Sequence, residues 1–187
     1  MERASQDLMH EHDAILFSLK VLEEICNRVE SRKDVLIKDI ASLIEFLKLF
    51  ADKCHHGKEE GFLFPALIEA GIPAEKGPID VMLAEHTMGR NYIRQIQESA
   101  TDKAFRTEEF GKSARGYISL MRAHIQKENN VLFPMGDAKL SDSKQRELIE
   151  SFEKYEEEVI GKGKHEELHK QLEAFNTKFL KSSVQTF

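Results

Sequence analysis

Cysteine is close to absent from this chain. Cys26 and Cys54 are the only two among 187 residues, which excludes a disulfide framework and makes a reducing cytoplasm the expected compartment. No apolar run is long enough to span a bilayer, and the opening stretch MERASQDLMHEHDA lacks the apolar core of a secretory signal. Basic patches are missing too: the net charge is −6, the pI is about 5.8, and no block of lysine or arginine stands out. Neither nucleic acid nor a membrane is therefore an expected partner. No segment shows the period-two alternation of a convincing strand.

What is present is helical periodicity. With 41% hydrophobic and 32% charged residues, the chain can bury a core as one domain over residues 1–187. His12, Ile15, Leu16, Leu19, Leu22 and Cys26 form an apolar stripe that predicts a helix over about 3–29. A second helix is expected from about Val35, with a stripe running from Ile37 through Ile44 and Ala51 to His55 and Glu59. Pro65 should kink or end it, and GIPAEKGP at 71–78 reads as a loop. A third helix starts near Pro78 with Met82, His86, Gly89, Ile93 and Ile96 on one face. After a break near 101–103, a fourth carries Phe110, Ala114, Tyr117, Met121, His124 and Glu128. A second loop is expected at 134–141, then a last helical region to about 180, interrupted at Gly161 and Gly163. The fold class predicted is all-α: an antiparallel four-helix bundle over about 3–134 with an additional C-terminal helix over about 141–180. The charges of that last region leave homo-oligomerisation open against a solvated face.

The chemistry gathers in a duplicated stretch. CHHGKEEGFLFP at 54–65 and AHIQKENNVLFP at 123–134 align on Leu-Phe-Pro, placing His55 over His124 and Glu59 over Glu128. Positions i and i+4 share a helix face, so each copy offers an imidazole and a carboxylate together. With His12 and His86 on the other two stripes, four histidines and two carboxylates face one core. Any one of these histidines alone reads as a hydrogen-bonded core residue. Six polar groups buried without partners would each cost about 1–3 kcal/mol, so together they point to metal. Imidazole with bridging carboxylate favours two iron ions over a structural zinc closed by four ligands. Such a set leaves coordination positions for dioxygen, nitric oxide or peroxide.

The order His, HxxxE, His, HxxxE, with HHxKEExxLFP and AEHxxGR around its members, resembles the haemerythrin-like (HHE cation-binding) family from Leu8 to Pro134. The resemblance implies a bundle around a non-haem di-iron centre. His12, His55, His86 and His124 would be terminal ligands, and Glu59 and Glu128 bridging ones. Oxygen-carrying haemerythrins have HxxxH on the third helix; here Arg90 follows His86, so simple oxygen carriage is not expected. His165, on a stripe with Leu168, Leu172, Phe175 and Phe179, is a candidate fifth histidine or a residue packed on the outside of the bundle.

Nearby residues read as less central. His10 should be solvated. His56 and Glu60 form an off-register pair expected around the ligands or at the surface, so that replacing His56 should leave metal content intact. Arg90 should pair with a carboxylate or face solvent, Tyr92 and Tyr117 should pack, and Cys54 should be a small buried hydrophobe. His165-Glu-Glu-Leu-His169 fits the HExxH zinc-protease pattern, but only Glu173 follows as a further ligand and no strand exists to align a peptide. The functional expectation is a di-iron protein meeting a small oxidant in redox sensing or in oxidative or nitrosative stress defence. Oxygen or iron storage without catalysis is the alternative.

Overall fold

A computed structural model describes residues 3–101, 104–161 and 164–181, less the side chains of residues 165, 166 and 169. Helix α1 spans Ala4–Glu30. Helix α2 runs without interruption over residues 37–69, α3 is Pro78–Ser99, and α4 covers residues 107–139. Each packs on the next and α4 closes against α1. The pairings Arg115–Glu30, Arg122–Glu23 and His12–Asn129 run in opposite senses along α1 and α4, so these neighbours are antiparallel. The predicted four-helix bundle is what forms.

Three expectations need correction. Of the kink or end expected at Pro65, the end does not occur, since α2 continues to Glu69, and α4 runs on to Lys139 through the loop expected from Pro134. Just before each proline the helix widens into an i→i+5 turn, at Glu59–Leu63 and at Glu128–Leu132. In a wide turn each carbonyl is satisfied one residue further on. The proline's missing N–H and its clash with the preceding turn are thereby accommodated. The predicted loop at 134–141 shrinks to Leu140 and Ser141, the latter capping the following helix by accepting from the Lys144 N–H at 3.3 Å. A short antiparallel pair, Ala100–Thr101 with Ala104–Phe105, turns α3 into α4, where no strand was expected. The C-terminal region is two helices, α5 (Asp142–Val159) and α6 over residues 165–180, parted at Gly161 with φ +96°, a value that favours glycine.

Both extra helices lie across α1 and α2. Gln171 donates to the Ser42 carbonyl at 3.1 Å, and Arg28 donates to the Phe179 carbonyl at 3.0 Å. The apolar interior forms two clusters. One holds Ile15, Leu22, Phe50, Ile96, Phe110 and Phe179 among others. The second holds Leu8, Phe64, Leu67, Met82, Phe133 and Phe152. Along all four bundle helices, the histidines and glutamates of interest fall between these clusters as a polar layer. No helix among the described residues is long and apolar enough to cross a membrane.

Candidate metal centre

Two groups of potential ligands meet in that layer. His12, His55, Glu59 and Glu128 bring one donor atom each within 4.8 Å of one another, and so do His56, Glu59, His86 and His124. Glu59 belongs to both. Glu128 also touches both, its Oε2 lying 3.2 Å from His12 Nε2 and 3.2 Å from His124 Nε2. The four residues of the duplicated motif thus converge with His12 and His86, each of the six at most 1% exposed.

His56 does not sit where the motif alignment put it. It is 3% exposed, stacks on His86 with ring centroids 3.8 Å apart, and completes the second group. The cause is the wide turn that α2 adopts over Leu47–His56. More residues per turn means a smaller rotation per residue, so consecutive positions 55 and 56 both reach the interior. We therefore expect His56→Ala to lower metal content by depleting one position, read by elemental analysis; unchanged content would return His56 to a packing role.

The outer ring nitrogens follow a cyclic rule. On α1, Glu11 accepts from His55 Nδ1 of α2 at 2.8 Å; on α2, Glu60 accepts from His86 Nδ1 of α3 at 2.7 Å. On α3, Glu85 accepts from His124 Nδ1 of α4 at 3.0 Å, and Asn129 of α4 closes the circle on His12 Nδ1 at 2.7 Å. Each of these acceptors is the chain neighbour of a candidate ligand, yet each orients the histidine of the next helix. An ionised carboxylate only accepts, so the proton of each carboxylate-bonded ring must sit on Nδ1 and the Nε2 lone pair must face inward. Metal-binding histidines are held in this way. The Nε2 atoms of His86 and His124 end 3.2 Å apart, a repulsive pairing of lone pairs unless a cation or proton lies between them. His12 Nε2, His55 Nε2, both nitrogens of His56 and all four carboxylate oxygens of Glu59 and Glu128 are buried without a hydrogen bond. The donor set fits metal cations, which would supply the partners that these buried atoms lack.

Electrostatics agree. Burial, then the neighbouring imidazoles, pushes His55 well below the ordinary histidine range, and burial does the same to His56. Both are neutral and ready to ligate. Burial and the adjacent Glu128 hold Glu59 well above the usual carboxylate range. Glu128 goes the other way: against burial, the close imidazoles of His12 and His124 hold it well below. Without metal, then, Glu59 is neutral and Glu128 ionised. A pH dependence follows for metal-stripped protein. Between about pH 6.5 and 4.5 the unfolded chain protonates His55 and His56 while the folded one does not. Over the same window folded Glu59 holds a proton that the unfolded chain releases. The unfolded state binds one proton more, so these three groups should remove about 1.4 kcal/mol of stability per unit as pH falls, measurable by denaturation of chelated protein at pH 6.5 and 5.

Helix α5 reaches this layer from outside. Lys58, 1% exposed, donates to Glu11 at 2.7 Å and Glu156 of α5 at 2.8 Å, with Asp7 at 3.3 Å and the Phe152 ring centroid 5.7 Å away. Its ammonium stays charged, because these carboxylates outweigh burial and raise its pKa. Tyr155 donates to the Lys53 carbonyl at 3.0 Å and covers Gly57, where a Cβ would lie 2.3 Å from the phenolic oxygen. Cys54, Glu11 and Glu156 also lie close together, but the Lys58 ammonium bonds both carboxylates, and burial pushes the Cys54 thiol up to about 12. That trio is an ion pair beside an inert thiol.

The remaining expectations sort as follows. His10 is exposed. Arg90 donates to Asp52 and Glu60, both at 2.7 Å. Tyr117 is buried and Tyr92 half-buried. The side chains of His165, Glu166 and His169 lie outside the described residues, so neither the fifth-histidine expectation nor the HExxH pattern is placed. Sequence reasoning passed over Glu11, Glu85, Asn129 and Lys58. The signal available for two of them was the repeated Glu-His pair at 11–12 and 85–86.

Comparison with known proteins returns a consistent picture. The profile of the Hemerythrin HHE cation binding domain matches residues 3–136. Uncharacterized proteins of Mycobacterium tuberculosis and Mycobacterium bovis are 24% identical over 162 residues, covering 84% of this chain. The chain spans 63% of the length of these relatives. No solved structure gives a significant match.

Proposed function

The chain belongs to the hemerythrin HHE cation-binding domain family, and on that premise we propose that it holds two iron ions and binds a small oxidant in redox sensing or in oxidative or nitrosative stress defence. Dioxygen, nitric oxide and peroxides are the oxidants that such a centre accepts. The observation that supports this most is the pair of overlapping ligand groups sharing Glu59, with their inward atoms buried and unpartnered. Five imidazoles with two carboxylates suit iron better than a closed structural zinc. Bound iron would supply the redox electrons and an open position for the oxidant.

The protein's own residues do the rest. Glu11, Glu60, Glu85 and Asn129 fix ring orientation and tautomer. The two apolar clusters flank the layer on either side, and an apolar surround strengthens the charge interactions inside it. The two carboxylates offset part of the charge of two divalent cations.

The test is elemental analysis of aerobically purified protein, paired with its absorption spectrum and its consumption of peroxide or nitric oxide. About two irons per chain with near-ultraviolet oxo-bridge bands and sustained consumption support the proposal. Reversible spectral cycling with oxygen and no turnover would replace it with storage or carriage. One zinc per chain, or no metal after anaerobic iron loading, would overturn it.

A further inference from the structure

A cavity of about 140 Å3 lies between α2, α3 and α4, with Asp52, His56, Gly89, Arg90, Ile93 and Tyr117 among its walls. Arg94 and Lys48 at its mouth have side chains 61% and 37% exposed, whereas His56 and Tyr117 are buried. It therefore leads from solvent to the edge of the second ligand group. Its size sets a first limit on what it takes. A cavity of about 150 Å3 holds a molecule as large as benzene, against about 30 Å3 for one water. A diatomic gas would leave most of this space empty.

Charge sets the second limit. Lys48 pairs with Glu45 and Arg94 with Glu98, both at 2.9 Å. Arg90 pairs with Asp52 and with Glu60, both at 2.7 Å, and Asp52 also faces His56 Nδ1 at 3.6 Å. Every cation of the wall thus has its carboxylate, and the carboxylate of the wall has its cation. A charged ligand would give up hydration here and find no unpaired counter-charge. A neutral one loses little. The floor suits an apolar group, since Gly89, Ile93 and the Tyr117 ring form it. It is open because Gly89 has no side chain: a Cβ there would meet Tyr117 at 3.6 Å and Met121 at 3.7 Å, ordinary contacts. The one polar group left to spend is the Tyr117 hydroxyl. Among the described residues it bonds to no protein group, although buried tyrosine hydroxyls ordinarily find a partner.

We propose that this cavity binds a small, neutral organic hydroperoxide of about benzene size. Its alkyl group rests on Gly89, Ile93 and the Tyr117 ring, and its peroxide end meets the Tyr117 hydroxyl on the His56 side. The choice of a peroxide rests on the redox reading of the metal centre; size, neutrality and the hydrogen bond follow from the cavity alone. Reduction splits the O–O bond to an alcohol and water, taking up two protons and two electrons, one electron from each of a pair of ferrous ions.

The probe is tert-butyl hydroperoxide, with pivalate and tert-butylammonium as anionic and cationic analogues of like size. Binding is measured calorimetrically on wild type, Tyr117→Phe and Gly89→Leu, loaded with redox-inert zinc so that nothing turns over, with metal counted on the same samples. Wild type should bind the hydroperoxide and neither ion. Tyr117→Phe should bind about fivefold more weakly, the loss of one neutral hydrogen bond. Gly89→Leu should fill the floor and abolish binding, with metal content unchanged in both variants. In a parallel single turnover, ferrous-loaded wild type should form tert-butanol. No hydroperoxide binding at full metal, equal affinity in all three proteins, or equal affinity for an ion overturns the site. Alcohol formed in any of those cases leaves the redox reading standing without it. Variant-sensitive binding with no alcohol keeps the cavity as a site for neutral molecules and overturns the hydroperoxide as its ligand.

Discussion

On the two-ion reading, Glu59→Ala should weaken both metal positions, reducing metal from about two ions per chain to one or none, because Glu59 is the residue common to both ligand groups. No neighbouring carboxylate can take its place: Glu60 is engaged by His86 and Arg90 on the outer side of the ring. Glu128→Ala should also lower occupancy, since Glu128 contacts His12 and His124 from different groups. A companion variant separates metal loss from misfolding. Glu59→Leu replaces a buried carboxyl with no hydrogen bond by an apolar group of similar size. Stripped of metal, it should be more stable than stripped wild type by about 1–3 kcal/mol, the cost of an unsatisfied buried group. Denaturation curves of chelated proteins and metal counts of loaded ones check both halves. Two ions per chain in Glu59→Ala and Glu128→Ala would end the bridging assignment. A stripped Glu59→Leu no more stable than wild type would mean that Glu59 has a partner independent of metal.

Lys58→Met should be the most damaging substitution outside the ligands. The methionine retains the packing of the stem on Phe152 but leaves Glu11, Asp7 and Glu156 facing one another without a cation. Removing one partner from a buried ionic group costs about 3–5 kcal/mol. For a chain of this size that lowers Tm by about 10 °C. The Lys58 pKa is raised in the folded state, so its contribution is complete at neutral pH and is lost only as pH rises through that elevated value. The loss should also reach the metal, since Glu11 accepts from both Lys58 and His55. Faster metal release to a chelator should therefore accompany the lower Tm. Glu156→Gln is the control, because its side chain is 27% exposed and leaves Glu11 in place; it should soften both effects. A Lys58→Met protein as stable as wild type would show that the cluster is solvated and α5 is docked by Phe152 and Tyr155 alone.

Much of this molecule was legible in one dimension. The stripes of α1 to α4 follow the 3–4 spacing that any amphipathic helix must show to bury one face, and the boundaries fell within a few residues. The duplicated His-x-x-x-Glu identified four of the residues that meet in the polar layer, because i,i+4 proximity is a property of the helix itself. Two readings failed for a single physical reason. Pro65 was expected to kink or end its helix and His56 to lie off register, around the ligands or at the surface, both on the assumption of uniform α-helical turns. The i→i+5 turns at Leu47–His56, Glu59–Leu63 and Glu128–Leu132 relieve the prolines and turn His56 inward.

The sequence by itself determined the helices and six of the donors that meet in the polar layer, because each is a matter of local spacing. Only the tertiary structure decided which acceptor orients which histidine, that α5 pins Lys58 to Glu11, and that a cavity opens at His56. These depend on how one helix is rotated against its neighbour. That rotation is set by the packing of four helices together, and no single helix carries it in its own periodicity.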